Sequence, residues 1–164
     1  MSDILNDMKK LLKISSFVTI VAGIVLVGGG AWGIVFTYTN VARENIVTTD
    51  DSSIPSVPVR GPLTLKVQAD TIRKHTLGMT GGKTYAEMPR QIPKLDANGD
   101  PVLGGDGKPV MVANTARDIW ITAMTLITAL NLGVVTYAFF GLMLLLGFIS
   151  LLTGIAFLAL SRRY

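Results

Sequence analysis

The 164-residue chain contains no cysteine. Disulfides, zinc–thiolate centres and thiol catalysis are therefore excluded. It contains one histidine, His75. An imidazole-based metal site would have to complete its ligand set with carboxylates, and none stands four residues further along. A Ser-His-Asp site would have to recruit His75 from far away in the chain, and the Gly-x-Ser-x-Gly pattern is absent. Charge is also scarce: 16% of residues are Asp, Glu, Lys or Arg, against about 25% in ordinary soluble domains. The length excludes a large multidomain enzyme.

The missing charge leaves two long gaps. Ile14 to Tyr38 form 25 uncharged positions and Ile119 to Leu160 form 42. The formal net charge is +4, and it comes mostly from the ends. Lys9, Lys10 and Lys13 outnumber Asp3 and Asp7 at the start, Arg162 and Arg163 stand near the close, and residues 39–118 are nearly balanced. That distribution suits membrane flanks. A nucleic-acid surface would gather its basic residues on one folded patch, so no nucleic-acid partner is expected.

The first gap is long enough for a helix to cross about 30 Å of hydrocarbon, and helices satisfy their own backbone in lipid. Trp32 and Tyr38 lie toward its far end, where interfacial rings belong. A signal peptide is the competing reading, but the run exceeds a usual apolar core and no small-x-small cleavage pattern follows. The second gap is nearly twice one span. It allows two short spans, one span with a re-entrant piece, or one long helix that leaves the bilayer. The basic residues at both ends favour the cytoplasm by the positive-inside rule. An even number of crossings follows, hence one crossing in the second gap.

The expected architecture is mainly α: a membrane helical hairpin with a small α+β or irregular extracytoplasmic module between its arms. Residues 1–13 form an amphipathic cytoplasmic stretch, with Ile4, Leu5, Met8, Leu11 and Leu12 on one face. Residues 14–38 form the first span, and 39–118 the module. Residues 119–133, carrying Thr122, Thr125, Thr128 and Asn131, extend the second helix out of the bilayer. Residues 134–160 form the second span and 161–164 a cytoplasmic tail. Gly29 and Gly33, with Gly147 and Gly154, are the expected helix-packing residues, closing the two spans on each other or docking a partner. Neither span carries a charge, which argues against an ion or proton path.

Within the module, residues 47–60 read as an extended connector. Gly61-Pro62 opens a helix over 63–77, with Leu65, Ala69, Ile72 and Thr76 on one face, ending at Gly78; a strand over 63–67 is the alternative. Asp96-Ala-Asn-Gly-Asp-Pro-Val and Gly105-Asp-Gly-Lys-Pro-Val repeat one pattern. The Asn98-Gly99 and Asp106-Gly107 turns, with strand-like Val102-Leu103 and Val110 to Val112, predict a small exposed hairpin or loop. Asn114 or Thr115 is placed to cap the last helix.

Three motifs invite chemistry and fall short of it. Thr80-Gly81-Gly82-Lys83-Thr84 resembles a phosphate loop, but Gly78 is one position too close and position 77 is leucine; a turn after the helix is the better reading. Asp96-x-Asn98-x-Asp100 starts like a calcium loop, but Pro101 and Gly107 stand where glycine and glutamate are needed. His75, beside Arg73 and Lys74, reads as part of a solvated helix face. No cofactor is expected.

Several segments together resemble a family of actinobacterial two-span membrane proteins of unknown function. They are Ala42-Arg43-Glu44-Asn45-Ile46, Gly61-Pro62, Gln68-Ala69-Asp70 with His75, Gly82-Lys83-Thr84-Tyr85-Ala86-Glu87, Gly107 to Met111, Ala116 to Trp120, and Thr128 to Asn131. The resemblance covers roughly residues 15–160. Members often carry the label "aromatic ring-opening dioxygenase". Extradiol cleavage by non-haem iron needs two histidines and a carboxylate, which one histidine cannot supply. The expected role is therefore a non-enzymatic accessory or scaffold in a plasma-membrane complex, with the bilayer and another membrane or envelope protein as partners. An enzyme subunit, as the label implies, and an outer-leaflet lipid- or small-ligand-binding module are the alternatives. The last of these predicts an apolar groove between the 63–77 helix and the emerging part of the second long helix.

Overall fold

The computed structural model describes residues 2–163, and the side chains of residues 5–163. The protein is mainly helical, with 69% of residues in helices and one small sheet. The order is α1 (Ser2–Arg43), α2 (Pro62–Met79), a 3₁₀ turn (Tyr85–Glu87), β1 (Gln91–Pro93), β2 (Met111–Ala113) and α3 (Thr115–Arg163). Two compact units emerge. One holds the chain up to Ile46, Pro58–Pro62 and everything from Gly133 on; the other holds Val47–Val57 and Leu63–Leu132.

The first unit is a helix pair. Both α1 and α3 are long and apolar enough to cross a membrane by length and composition. The α1 helix has 42 residues, or about 63 Å at 1.5 Å per residue. No break separates residues 2–13 from 14–38, because no proline occurs before Pro55. Of the five residues expected on the amphipathic face, Leu5, Met8 and Leu11 are exposed and Leu12 is half-buried; the Ile4 side chain lies outside the described residues. The helix ends at a left-handed Asn45, φ 51°, a residue type that tolerates this conformation.

The contact between the helices is made of small residues. On α1 the buried positions are Ser16, Gly23, Gly30 and Thr37, seven apart, with Gly33; on α3 they are Gly147, Gly154 and Ser161, again seven apart. A period of seven keeps one face of each helix turned to its neighbour. Ser16 donates to the Gly154 carbonyl at 2.8 Å. Gly23 faces Gly147 and Leu151, and Gly30 faces Phe140 and Leu144, so the register is antiparallel. A Cβ on Gly147 would stand 2.8 Å from the Val27 backbone nitrogen.

Gly33, Gly147 and Gly154 lie in the seam. A Cβ on Gly29 would meet only the tip of Met143 at 3.3 Å, whereas Gly23 and Gly30 meet backbone. The most deeply buried small residues of α1 repeat every seven positions, while the G-x-x-x-G pair Gly29 and Gly33 meets side chains of α3.

The second unit is built on α2 and the first part of α3. Pro62 opens α2 as expected, and the helix runs two residues past the expected 77. It stops where Gly81, φ +62°, allows the Gly82 N–H to reach back to the Leu77 carbonyl at 2.8 Å. That stop occupies the Thr80–Thr84 motif. Asn114 caps α3, accepting from the Ala116 N–H at 3.2 Å. Of the three readings of the second apolar gap, α3 is a single helix of 49 residues.

One segment differs from expectation, and a second, the expected exposed hairpin or loop after β1, gains detail. Residues 47–57 are a closed loop, not an extended connector. The Thr48 N–H donates to the Val57 carbonyl at 3.0 Å, and its hydroxyl donates to Ile54 O at 2.5 Å while accepting from Val57 N–H at 3.0 Å. Residues 94–110 form two tight turns closed by a ring of three hydrogen bonds: Lys94 N–H to Val110 O, Val102 N–H to Lys94 O and Val110 N–H to Val102 O. Met111–Ala113 pairs antiparallel with Gln91–Pro93, outside the repeat. Asn98-Gly99 and Asp106-Gly107 do form the turns, each glycine at positive φ.

Candidate functional site

The polar unit is built on a buried face from each of two helices. From α2 come Leu65, Ala69 and Thr76, with Val67 and Thr71 buried on its other side; from α3 come Trp120, Ala123, Ile127 and Leu130 at alternating three- and four-residue steps. Trp120 is the anchor, 1% exposed. Its indole N–H donates to Lys83 O at 2.6 Å and lies 3.2 Å from Thr80 Oγ1. The Thr80 hydroxyl itself donates to Lys83 O at 2.6 Å. The loop after α2 is thereby clamped onto α3.

Two grooves flank this packing. The larger, about 750 Å³, is lined by Arg73, Tyr85, Trp120, Ile121, Met124 and Thr128, with Thr84, Ala86 and Thr125. Its cationic edge is Arg73, whose guanidinium stands 5.7 Å above the Trp120 ring. Its Tyr85 wall is held by Arg117, which lies 3.8 Å from the ring centroid and donates to Tyr85 O at 3.2 Å and Met88 O at 2.5 Å. Among the described residues the ion pairs are Lys66–Asp70, Lys74–Asp51 and His75–Asp51, so neither arginine faces a carboxylate. The groove is mostly apolar with a few polar groups at its edge, the usual make-up of a small-molecule site.

The second groove, about 610 Å³, lies against Ile72, His75, Met79, Asp118, Ile119 and Leu126. His75 is half-exposed at its edge, as the solvated-face reading expects, yet it has a partner: His75 Nε2 is 2.8 Å from Asp51 Oδ2, and Lys74 Nζ is 3.0 Å from the same oxygen. Hydrogen bonds from His75, Thr49 and Lys74 hold the Asp51 carboxyl well below the usual carboxylate range. A depressed folded-state value favours the folded loop fully above about pH 4, where a free aspartate ionises, and that contribution fades on further acidification. Hydrogen exchange at the Thr48 and Ser56 amides should therefore quicken on Asp51→Asn at pH 6. The difference between wild type and variant should shrink as pH falls toward 2. Equal protection in both chains at pH 6 would show that the cluster does not hold the loop.

The remaining motifs do structural work. Glu87 accepts from the Thr84 N–H and hydroxyl, both at 2.7 Å, and these bonds lower its pKa. Asp96 Oδ1 accepts from the Asn98 and Asp100 amides, both at 2.9 Å, so the calcium-like triplet is an Asx turn. Among the described residues no three His, Asp or Glu come together to hold a metal. Lys9 is half-buried and Lys10, Lys13, Arg162 and Arg163 are exposed. The antiparallel register of the first unit brings all five to one end of the helix pair.

Sequence reasoning placed His75 but not Asp51, and it missed Trp120, Arg73, Tyr85 and Arg117 as a group. The one readable signal was Arg117–Trp120 standing one turn before an uncharged helix face. The chain matches no protein-family model, no curated protein and no solved structure.

Proposed function

We propose that the protein is a two-span integral plasma-membrane protein. Its spans are residues 14–38 and 134–160, both termini are cytoplasmic, and residues 39–118 are extracytoplasmic. It serves as a non-enzymatic accessory or scaffold in a cell-envelope complex, an architecture in keeping with the two-span family it resembles.

The observation that carries this reading is the inverted make-up of the helix pair. Small residues fill the seam while large apolar side chains face outward: Phe17 is 71% exposed, Val25 66% and Leu152 68%. In water such an exterior would drive aggregation. In lipid, tails are as apolar as leucine, so helices associate through close packing of small residues. The change along α3 supports the same division. Its first part packs through Trp120, Ala123, Ile127 and Leu130, a water-side core; its later part packs through Gly147, Gly154 and Ser161.

The absence of native cysteine makes the test clean. Single cysteines at the exposed Ser53 and Asp106 should react with a membrane-impermeant maleimide on intact cells, and the chain should stay in the pellet after alkaline carbonate extraction. Labelling only after lysis would overturn the sidedness, and carbonate release would overturn the membrane reading. Purification in mild detergent should yield a particle that contains a second protein. A strictly monomeric particle would overturn the scaffold role.

A further inference from the structure

We propose that one anionic phospholipid of the cytoplasmic leaflet sits on one side of the basic end of the helix pair, its phosphate among Lys10, Lys13 and Arg162. This rests on the membrane reading above, and every residue of the site belongs to the helix-pair unit. The seam sets the geometry. Ser16 donates to the Gly154 carbonyl, so seven residues further out Lys9 stands level with the fully buried Ser161. Lys9 is half-buried, as a seam position should be. Each residue turns an α-helix by about 100°. Counted from Lys9, Lys13 lies about 40° and Lys10 about 100° round α1; counted from Ser161, Arg162 lies about 100° round α3. In two right-handed helices that face each other and run in opposite directions, a step forward in sequence turns toward the same side of the pair. Lys10, Lys13 and Arg162 therefore share one side. Arg163, about 200° from Ser161, is turned away from the partner helix.

The three cations fall within about 8 Å along the axis, and all three are exposed. None of them is in an ion pair among the described residues, and neither is Asp7, the described carboxylate nearest to them in sequence. Three cations at one level suit the oxygens of a phosphate. The surface beside them makes that phosphate a lipid's. Phe17 stands seven residues after Lys10 and Ile155 seven before Arg162, so both continue the same side toward the middle of the spans. They are 71% and 57% exposed, an apolar path for an acyl chain. The long stems of Lys10 and Lys13 lie along apolar surface while their ammoniums reach the headgroup level. A soluble anion would have no use for the apolar continuation, and basic residues gathered at the cytoplasmic end of a span are a footprint of anionic lipid.

Phe17→Trp combined with Trp32→Phe places a tryptophan beside the site. The Trp32→Phe chain, which keeps Trp120 of the two native tryptophans, supplies the background. Both full chains are reconstituted into phosphatidylcholine vesicles that contain a minority of phosphatidylglycerol brominated in its acyl chains, or of identically brominated phosphatidylcholine. Both leaflets carry the probe, so the direction of insertion does not matter. The phosphatidylglycerol probe should quench position 17 with at least about tenfold higher apparent affinity. Lys10→Gln, Lys13→Gln and Arg162→Gln should each reduce that preference about fivefold, as one cation is worth near an anionic lipid. Arg163→Gln, the same change of charge on the other side, should leave it within about twofold.

Equal quenching by the two probes would overturn the proposal and leave the basic end to an acidic protein. Equal losses for Arg162→Gln and Arg163→Gln would overturn it too, since the attraction would then be diffuse. So would loss of the preference on adding inorganic phosphate but not sodium chloride of equal ionic strength, which would assign the cations to a soluble anion. A chain that fails to float with the vesicles would overturn the membrane reading and this one with it. A chain that floats but shows no headgroup preference would overturn this one alone.

Discussion

Trp120→Ala is expected to cost the polar unit about 3–5 kcal/mol, the usual range for emptying a buried large aromatic site. A small domain holds about 5–15 kcal/mol in total, so this single change removes a large part of its stability. The effect has two sources that a second variant separates. Trp120 fills the space between α2 and α3 at 1% exposure, and its N–H satisfies the Lys83 carbonyl at 2.6 Å. Trp120→Phe keeps most of the ring and loses the N–H. The Lys83 carbonyl still accepts from the Thr80 hydroxyl at 2.6 Å, so no buried acceptor is orphaned, and the hydrogen-bond loss should be near the low end, about 1 kcal/mol. Hydrogen exchange across α2 in detergent reads both. Alanine should reduce protection about a hundredfold or more, and phenylalanine by much less, since tenfold corresponds to about 1.4 kcal/mol. Equal losses for the two variants would assign the anchor to the hydrogen bond and not to packing.

What was legible in the sequence follows the range of the interactions involved. The α2 helix could be read because its period and its Pro62 start are local, and so could the Asn114 cap and the two Asx-Gly turns. The last residues of α2 were less accessible. Gly78 looks like a stop, yet the left-handed position falls on Gly81, and two glycine candidates three residues apart cannot be ranked by propensity alone. The Thr48 loop was misread because Thr, Asp, Ser and Pro suit an extended linker and a closed loop equally well; the closure depends on a hydroxyl meeting a carbonyl six residues away. The Asp51–His75 pair joins positions 24 apart, and nothing local to either residue announces it. An apolar groove beside the emerging α3 follows only from the lipid- or ligand-binding alternative, and its cationic edge is not legible at all, because Arg73 and Trp120 are brought together by packing. In the helix pair, G-x-x-x-G drew attention to Gly29, while the heptad Ser16, Gly23, Gly30 and Thr37 was visible in the sequence and mixes residue types that a glycine search passes over.

That heptad makes a prediction of opposite signs at neighbouring glycines. Gly147→Leu should destabilise the helix pair, because its Cβ would fall 2.8 Å from the Val27 nitrogen and 3.1 Å from the Gly23 carbonyl oxygen. Backbone cannot swing aside as a side chain can, so the helices must separate and lose contacts all along the seam. Overpacking of this kind costs about 1–3 kcal/mol and sometimes more, and here the upper end is expected. Gly28→Leu and Gly141→Leu introduce the same side chain at positions with nothing within 4 Å. They should leave stability unchanged or raise it, since leucine is a better helix former than glycine by roughly 0.5–1 kcal/mol. Unfolding in mixed micelles with a rising fraction of dodecyl sulfate measures all three. The midpoint should fall clearly for Gly147→Leu and hold or rise for the other two. A drop of similar size in all three would mean that leucine disturbs these helices through something other than the seam, and the close antiparallel approach would have to be abandoned as the source of the pair's stability.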